Sequence, residues 1–357
     1  MNNKLLGLLM IPGLLVFGLA AARGDAIGEP RLGEPPQAPA RALVEEPREA
    51  ETGSAAYTLF LPSIQAPPPW VNTASRAESQ QFFRTGYLGT GNIPTGWQGD
   101  HGSCHAGTTS GAYRAAVLRR VNYFRSMAGV PGIKGLDAGY NEKAQAAALM
   151  MSVNRDLSHD PPADWACYTP AGSEAAGSSN LAYGYSGTDA IRGYMEDTGE
   201  YNFPLGHRRW ILYPQTRWMG TGDIPATGGY PPTNALWVID HGHYSDPRPA
   251  TRNPFVAWPP PGYVPFQVVY PRWSFAWPDA DFSKATVTMT RAGQGLAVVK
   301  LPVAAGYGEN TLAWEPQANF NNPPAADTRY TVTVGNVLIE GQARSFSYEV
   351  IVFDPAR

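Results

Sequence analysis

The sequence has little cysteine, few histidines and no strong charge of either sign. Only Cys104 and Cys167 occur in 357 residues, which makes a cysteine-ligated zinc centre an unlikely reading. The formal net charge is -3 and the pI is about 6.1, so nothing in the balance points to nucleic acid as a partner. Walker-type phosphate loops, HExxH and the GxSxG nucleophile elbow are all missing. Beyond the first residues no long apolar run appears, so no stable membrane span is expected in the mature chain.

The N-terminal stretch places the chain in a compartment. One lysine precedes an apolar segment from Leu5 to Ala22, which closes on small residues, and this reads as a secretory signal over 1–26. An uncleaved anchor is the alternative, at about 18 residues marginal for a span. Export to an oxidising environment favours a Cys104–Cys167 disulfide over a catalytic thiol. Closing so long a loop would stabilise the fold by roughly 4 kcal/mol in the chain-entropy model.

Composition then divides the rest. Residues 27–56 carry five prolines and six glutamates without an aromatic side chain, and are expected to be a disordered Pro/Glu-rich linker. Residues 57–112 regain apolar and aromatic content and read as an ordered extension packing on the domain that follows. From Tyr113, Val117, Val121, Phe124 and Ala128 recur at helical spacing, with Gly129 and Pro131 as a stop. A second helix is expected from an Asn141 cap through Leu157, with Ala144, Ala148 and Met151 on a narrow face. TDAIRGYMED and LGHRRWIL predict short helices, while RWMGTGDI and NALWVID predict strands. This order fits an α/β domain over 113–250, a sandwich of helices around an antiparallel sheet. Over 253–357, alternation in ATVTMT, GLAVVKLPV, YTVTVGNV and SFSYEVIVFDP predicts an all-β sandwich, immunoglobulin-like in architecture only.

The chemistry-bearing candidates are the six histidines and the carboxylates near them. His159 follows the alanine-rich helix and His207 opens LGHRRWIL; each is also compatible with a purely structural role. Glu174, Glu196, Asp197 and Glu200 lie within reach in sequence, and two imidazoles with one or two carboxylates would suit Zn²⁺ or another divalent cation. His241-Gly242-His243 would place two imidazoles on one side of an extended segment.

Taken in order, RRVNYFRSMAGV, GLDAGYNEKAQAAALMMSVNRDLSH, SSNLAYG, GYMED and GHRRWILYP resemble the CAP superfamily, which comprises cysteine-rich secretory, antigen 5 and pathogenesis-related class-1 proteins and bacterial SCP-domain relatives. The resemblance spans 113–240 and implies an αβα fold with a cleft of two histidines and two glutamates able to bind a divalent metal. Carried over, the histidines match His159 and His207, and one glutamate matches Glu196. The other falls on Ser179 of Ser178-Ser179-Asn180, which removes a carboxylate from the implied site. Glu174 is the substitute to weigh, at an offset that in a strand would face the wrong way. The expected cleft is thus His159, Glu174, Ser179, Asn180, Glu196 and His207, with His159, His207 and Glu196 as the metal set. The resemblance implies a secreted bacterial protein that binds a small apolar, lipid- or sterol-like ligand, or an extracellular or cell-wall partner, without catalysis. A metal-dependent peptidase-like hydrolase using His159, His207 and Glu196 is the alternative. So is envelope or carbohydrate attachment through the β-sandwich.

Overall fold

The computed structural model describes residues 70–357; the segment read as a signal, the expected linker and residues 57–69 of the expected extension lie outside them. The first element is helix α1 (Arg76–Phe82), where the Ser75 hydroxyl accepts from the Glu78 amide. A coil from Gly91 to Thr109 then leads into α2 (Gly111–Ala128). Ser110 caps α2 by accepting from Tyr113 N, and Gly129 ends it in the left-handed region at φ 77°. Val117, Val121 and Phe124 are fully buried, as their spacing predicts.

After the short strand β1 (Gly135–Leu136) comes α3 (Ala138–Asn154), which starts and ends earlier than expected. Asp137 supplies the cap through Tyr140 N, so Asn141 is free to accept from Thr221 N at 2.8 Å and tie the helix to the sheet. Arg155 then turns left-handed, and the chain up to His159 is loop. Helix α4 (Pro170–Gly177) follows, capped by Thr169 with Pro170 in its first turn. Next are β2 (Ser179–Tyr183), α5 (Gly187–Glu196), α6 (Gly206–Ile211), β3 (Trp218–Ile224) and β4 (Thr233–Trp237).

These strands form one sheet in the order β1-β3-β4-β2, antiparallel except for β1 beside β3. Alternate residues feed different cores. Leu181, Ala235 and Trp237 pack with Ala144, Ala148 and Met151 of α3 and Ala175 of α4. Ala182, Leu236 and Met219 face Val121 and Phe124 of α2 and Ile191 of α5. A sheet with helices on both faces is the αβα sandwich, and it follows from strand period two with both faces covered.

The rest of the chain is β: β5 (Val256–Trp258), β6 (Gly262–Pro265), β7 (Trp273–Ala276), β8 (Thr286–Arg291), β9 (Gln294–Leu296), β10 (Val298–Lys300), β11 (Thr311–Pro316), β12 (Thr328–Ile339) and β13 (Gln342–Phe353). They make two sheets, ordered β10-β11-β7-β5 and β6-β13-β12-β8-β9, mostly antiparallel with β6 parallel to β13. Phe275, Trp273 and Trp314 from one sheet and Val332, Val334 and Val350 from the other are fully buried in the sandwich core. That core is continuous with the one under α2, where Phe124 meets Trp258 edge-on at 5.2 Å.

The Cys104–Cys167 disulfide is present and spans 63 residues. It joins the coil before α2 to the loop after α3. Asn154 steadies the same loop by bonding both the carbonyl and the amide of Ala166.

Helix α3 lies directly on β3 because Gly220 and Gly222 have no side chain to hold it away. A Cβ at Gly222 would meet the backbone of Ala144 and Gln145, which no side-chain rotation can relieve. Gly222→Ala is therefore expected to destabilise the fold by about 1–3 kcal/mol through overpacking. Urea denaturation measures this, and a wild-type midpoint would contradict the close approach.

Candidate functional site

The junction between α4 and β2, residues 176 to 180, holds a histidine at each end. At one end His159 Nδ1 lies 2.8 Å from the Ala176 carbonyl. A carbonyl only accepts, so Nδ1 carries the hydrogen and Nε2 keeps its lone pair. At the other end the Asn180 amide donates to the His207 carbonyl at 3.0 Å. Ser179 lies between them, buried, and its hydroxyl has no hydrogen-bond partner among the described residues.

His207 is the second residue of α6, and its Nδ1 is 2.8 Å from Asp197 Oδ1. The other oxygen of that carboxylate accepts from the Arg208 amide at 3.2 Å. Asp197 is fully buried at its side chain and sits in the left-handed region, φ 55° and ψ 47°, just beyond the end of α5. Aspartate tolerates that conformation better than most residues. The Tyr194 ring leans on the imidazole at 5.2 Å between centroids. Its hydroxyl lies 2.9 Å from Asn180 O and 2.8 Å from Asn234 Oδ1. Asn234 in turn donates to Asp223, whose carboxyl burial pushes above the ordinary range. The histidine end of the cleft is thus wired into the buried polar core of the sheet.

Burial, opposed by the Ala176 bond and reinforced by the nearby His207, lowers the His159 pKa from 6.5. Much of the residue's surface faces solvent, yet the ring lies far enough within the protein for desolvation to dominate.

The glutamates go elsewhere. Glu196, the last residue of α5, pairs with Arg192 one turn earlier at 2.9 Å. The carboxylate that reaches His207 belongs to its neighbour Asp197, because the left-handed turn after Glu196 swings the next side chain inward. Glu174 is on helix α4 and not on an extended segment, so the strand-face argument does not apply to it. It pairs with Lys143 at 2.7 Å on the exposed side. His241 and His243 lie in a turn, not an extended segment, and His243 Nδ1 is 3.1 Å from Asp240.

The structure therefore brings His159, Ser179, Asn180 and His207 together and leaves Glu174 and Glu196 in surface ion pairs. Among the described residues, no group of three or more His, Cys, Asp or Glu side chains is placed to hold a metal ion. The donor set does not fit the implied cation site: both Asp197 oxygens are engaged, and a hydroxyl stands where a second carboxylate would be. Asp197 stood among the carboxylates near His207 in sequence, but Glu196 was preferred to it; the signal in its favour was the Asp-Thr-Gly break directly after the helix.

Two cavities lie away from this cleft. One of about 20 Å³ lies between α6 and the sandwich, beside Arg209 and Glu309. The other, about 680 Å³, is an open groove on α1 lined by Trp70, Phe82 and Ser126. Neither is lined by His159 or His207.

Residues 118–240 match the sequence model of the family described as CAP: Cysteine-rich secretory protein family. The matched segment, about a third of the chain, is the part that carries the αβα layers. No curated protein matches the sequence.

The lowered His159 pKa has a sign that denaturation can read. A histidine whose folded pKa is lowered contributes stability that is fully present above 6.5 and lost as pH falls through the lowered folded value. His159→Gln keeps a donor for Ala176 without a titrating ring. Its stability is expected to fall less than that of the wild type between pH 7 and 5 in urea denaturation. Parallel pH curves for the two proteins would contradict the assignment.

Proposed function

We propose that this is an extracellular, non-catalytic binding protein whose histidine cleft takes the polar end of a small, largely apolar, lipid- or sterol-like ligand. The observation that carries this reading is how the polar groups are engaged. Both Nδ1 atoms face acceptors, Ala176 O and Asp197 Oδ1, and both candidate glutamates are in salt bridges. What remains for a ligand is the Nε2 side of each ring, while the unpartnered Ser179 hydroxyl is buried beside them. An imidazole that carries its hydrogen on Nδ1 offers Nε2 as an acceptor, so a hydroxyl head group suits the cleft better than a carboxylate. Two further facts are compatible with an extracellular setting. The disulfide is one. The other is that no helix among the described residues is long and apolar enough to cross a membrane.

The Asp197–His207 pair also resembles a general base with its orienting carboxylate, which keeps a hydrolase as the second reading. Against it, Ser179 Oγ makes no hydrogen bond to either imidazole, and the carboxylates needed for a metal-bound water are engaged elsewhere.

Zinc titration by calorimetry on the wild type and His207→Ala separates the two. The binding reading expects no saturable uptake by either protein. Titration with a fluorescent sterol then tests the ligand class: binding should saturate in the wild type and weaken about tenfold in His207→Ala through loss of one hydrogen bond. One-to-one zinc uptake that vanishes in His207→Ala would overturn this reading in favour of a metallohydrolase.

A further inference from the structure

The hydrogen bonds that hold Asp197 do not stay within the CAP domain. Its carbonyl oxygen accepts from Arg272 Nη1 at 2.9 Å, and Arg272 immediately precedes strand β7 of the sandwich. The Arg272 carbonyl accepts in turn from Arg208 Nη1 at 2.8 Å, and the same nitrogen is 3.3 Å from Ser274 Oγ on β7. Arg208 closes the circuit, because its amide donates to Asp197 Oδ2. The guanidinium of Arg208 also donates to Met195 O and Glu196 O at the end of α5. Asp197, Arg272 and Arg208 therefore form a closed ring of hydrogen bonds, and His207 hangs from it by Asp197 Oδ1.

The ring acts on a residue with an unusual backbone. Asp197 is left-handed, a conformation that costs a residue with a Cβ more than it costs glycine and that fixed partners around it sustain. Its carbonyl, turned away from any helical partner by that conformation, is the group Arg272 takes up. Arg272 is itself fixed by Glu315 of the neighbouring strand β11 at 3.0 Å and is largely buried. The residue whose carboxylate reaches His207 is thus held at its backbone by a cation from the sandwich.

We propose that Arg272 is a positioning residue for His207, acting through Asp197, so that the β-sandwich is a working part of the cleft. This inference rests on His207 as a cleft residue and goes beyond it by giving the C-terminal sandwich a role in the site. It makes an attachment module with no share in the cleft the wrong description of that domain.

The test reads the His207 Nδ1 hydrogen directly, in the full chain labelled with ¹⁵N-histidine and without ligand. In the wild type this hydrogen is expected as a downfield, slowly exchanging resonance, assigned by its disappearance in His207→Ala. In Arg272→Gln its exchange with solvent should accelerate about tenfold, the equivalent of one lost hydrogen bond. Glu315→Gln leaves the bond to Asp197 in place and should accelerate exchange less. Should Arg272→Gln fail to fold, Arg272→Lys, which keeps the charge and can serve Asp197 or Glu315 but not both in the same geometry, is read in the same way and should fall between. Exchange within about twofold of wild type in a folded Arg272 variant would overturn the proposal. No ligand takes part, so a failed sterol titration and a failed positioning role give different results.

Discussion

One buried carboxylate holds the site in place. Asp197 binds His207 Nδ1 and the Arg208 amide through its side chain and Arg272 through its backbone, while sitting in a conformation that costs on the order of 1 kcal/mol or more for a residue with a Cβ. Three partners drawn from α6 and the strand-rich half offset that cost. The same contacts set how α5 meets α6, how α6 meets the sandwich, and which ring nitrogen of His207 is left for a ligand.

Short helix α6 works chiefly as a bracket. Arg208 reaches the end of α5 and the start of β7, and Arg209 donates to the carbonyls of Ala304 and Glu309 in the sandwich. Arg125, from α2, meets the far end with bonds to the carbonyls of Ile211, Tyr213 and Thr216. Arg125 and Arg208 are fully buried and Arg209 nearly so, and burial lowers each pKa, to about 9 for Arg125 and about 10 for the other two. Delocalised guanidinium charge with several fixed donors suits a junction built from loop carbonyls, where lysine would satisfy fewer of them. Charge in GHRRWIL therefore serves assembly, and His207 alone faces the cleft.

Much of this was legible from residue pattern. Helix α2 followed from the spacing of Val117, Val121 and Phe124 and the stop at Gly129, and the long strands of the sandwich followed from alternation in YTVTVGNV and SFSYEVIVFDP. Other elements were hidden by local chemistry. Helix α4 is short and built of Pro, Ala, Gly and Ser, and only its Thr169 cap betrays it. Strands β5, β6 and β7 lie among prolines that mask alternation, because each is only three or four residues long. At the site, the family resemblance pointed to His159, Ser179, Asn180 and His207 and favoured Glu196 over Asp197, the carboxylate that meets His207 in the structure. One residue of helix length separates an outward glutamate from an inward aspartate, and spacing alone does not resolve where a helix ends.

The cleft that results has two tautomer-fixed imidazoles and a lone hydroxyl, and its acidic groups are tied up in holding the protein together. That division between structural carboxylates and available ring nitrogens is open to a double-mutant cycle of Asp197→Ala against His207→Ala. Urea denaturation of the four proteins is predicted to give a coupling energy of about 1–2 kcal/mol, the range for a hydrogen-bonded pair in direct contact. Additivity within about 0.5 kcal/mol would contradict the claim that Asp197 holds His207.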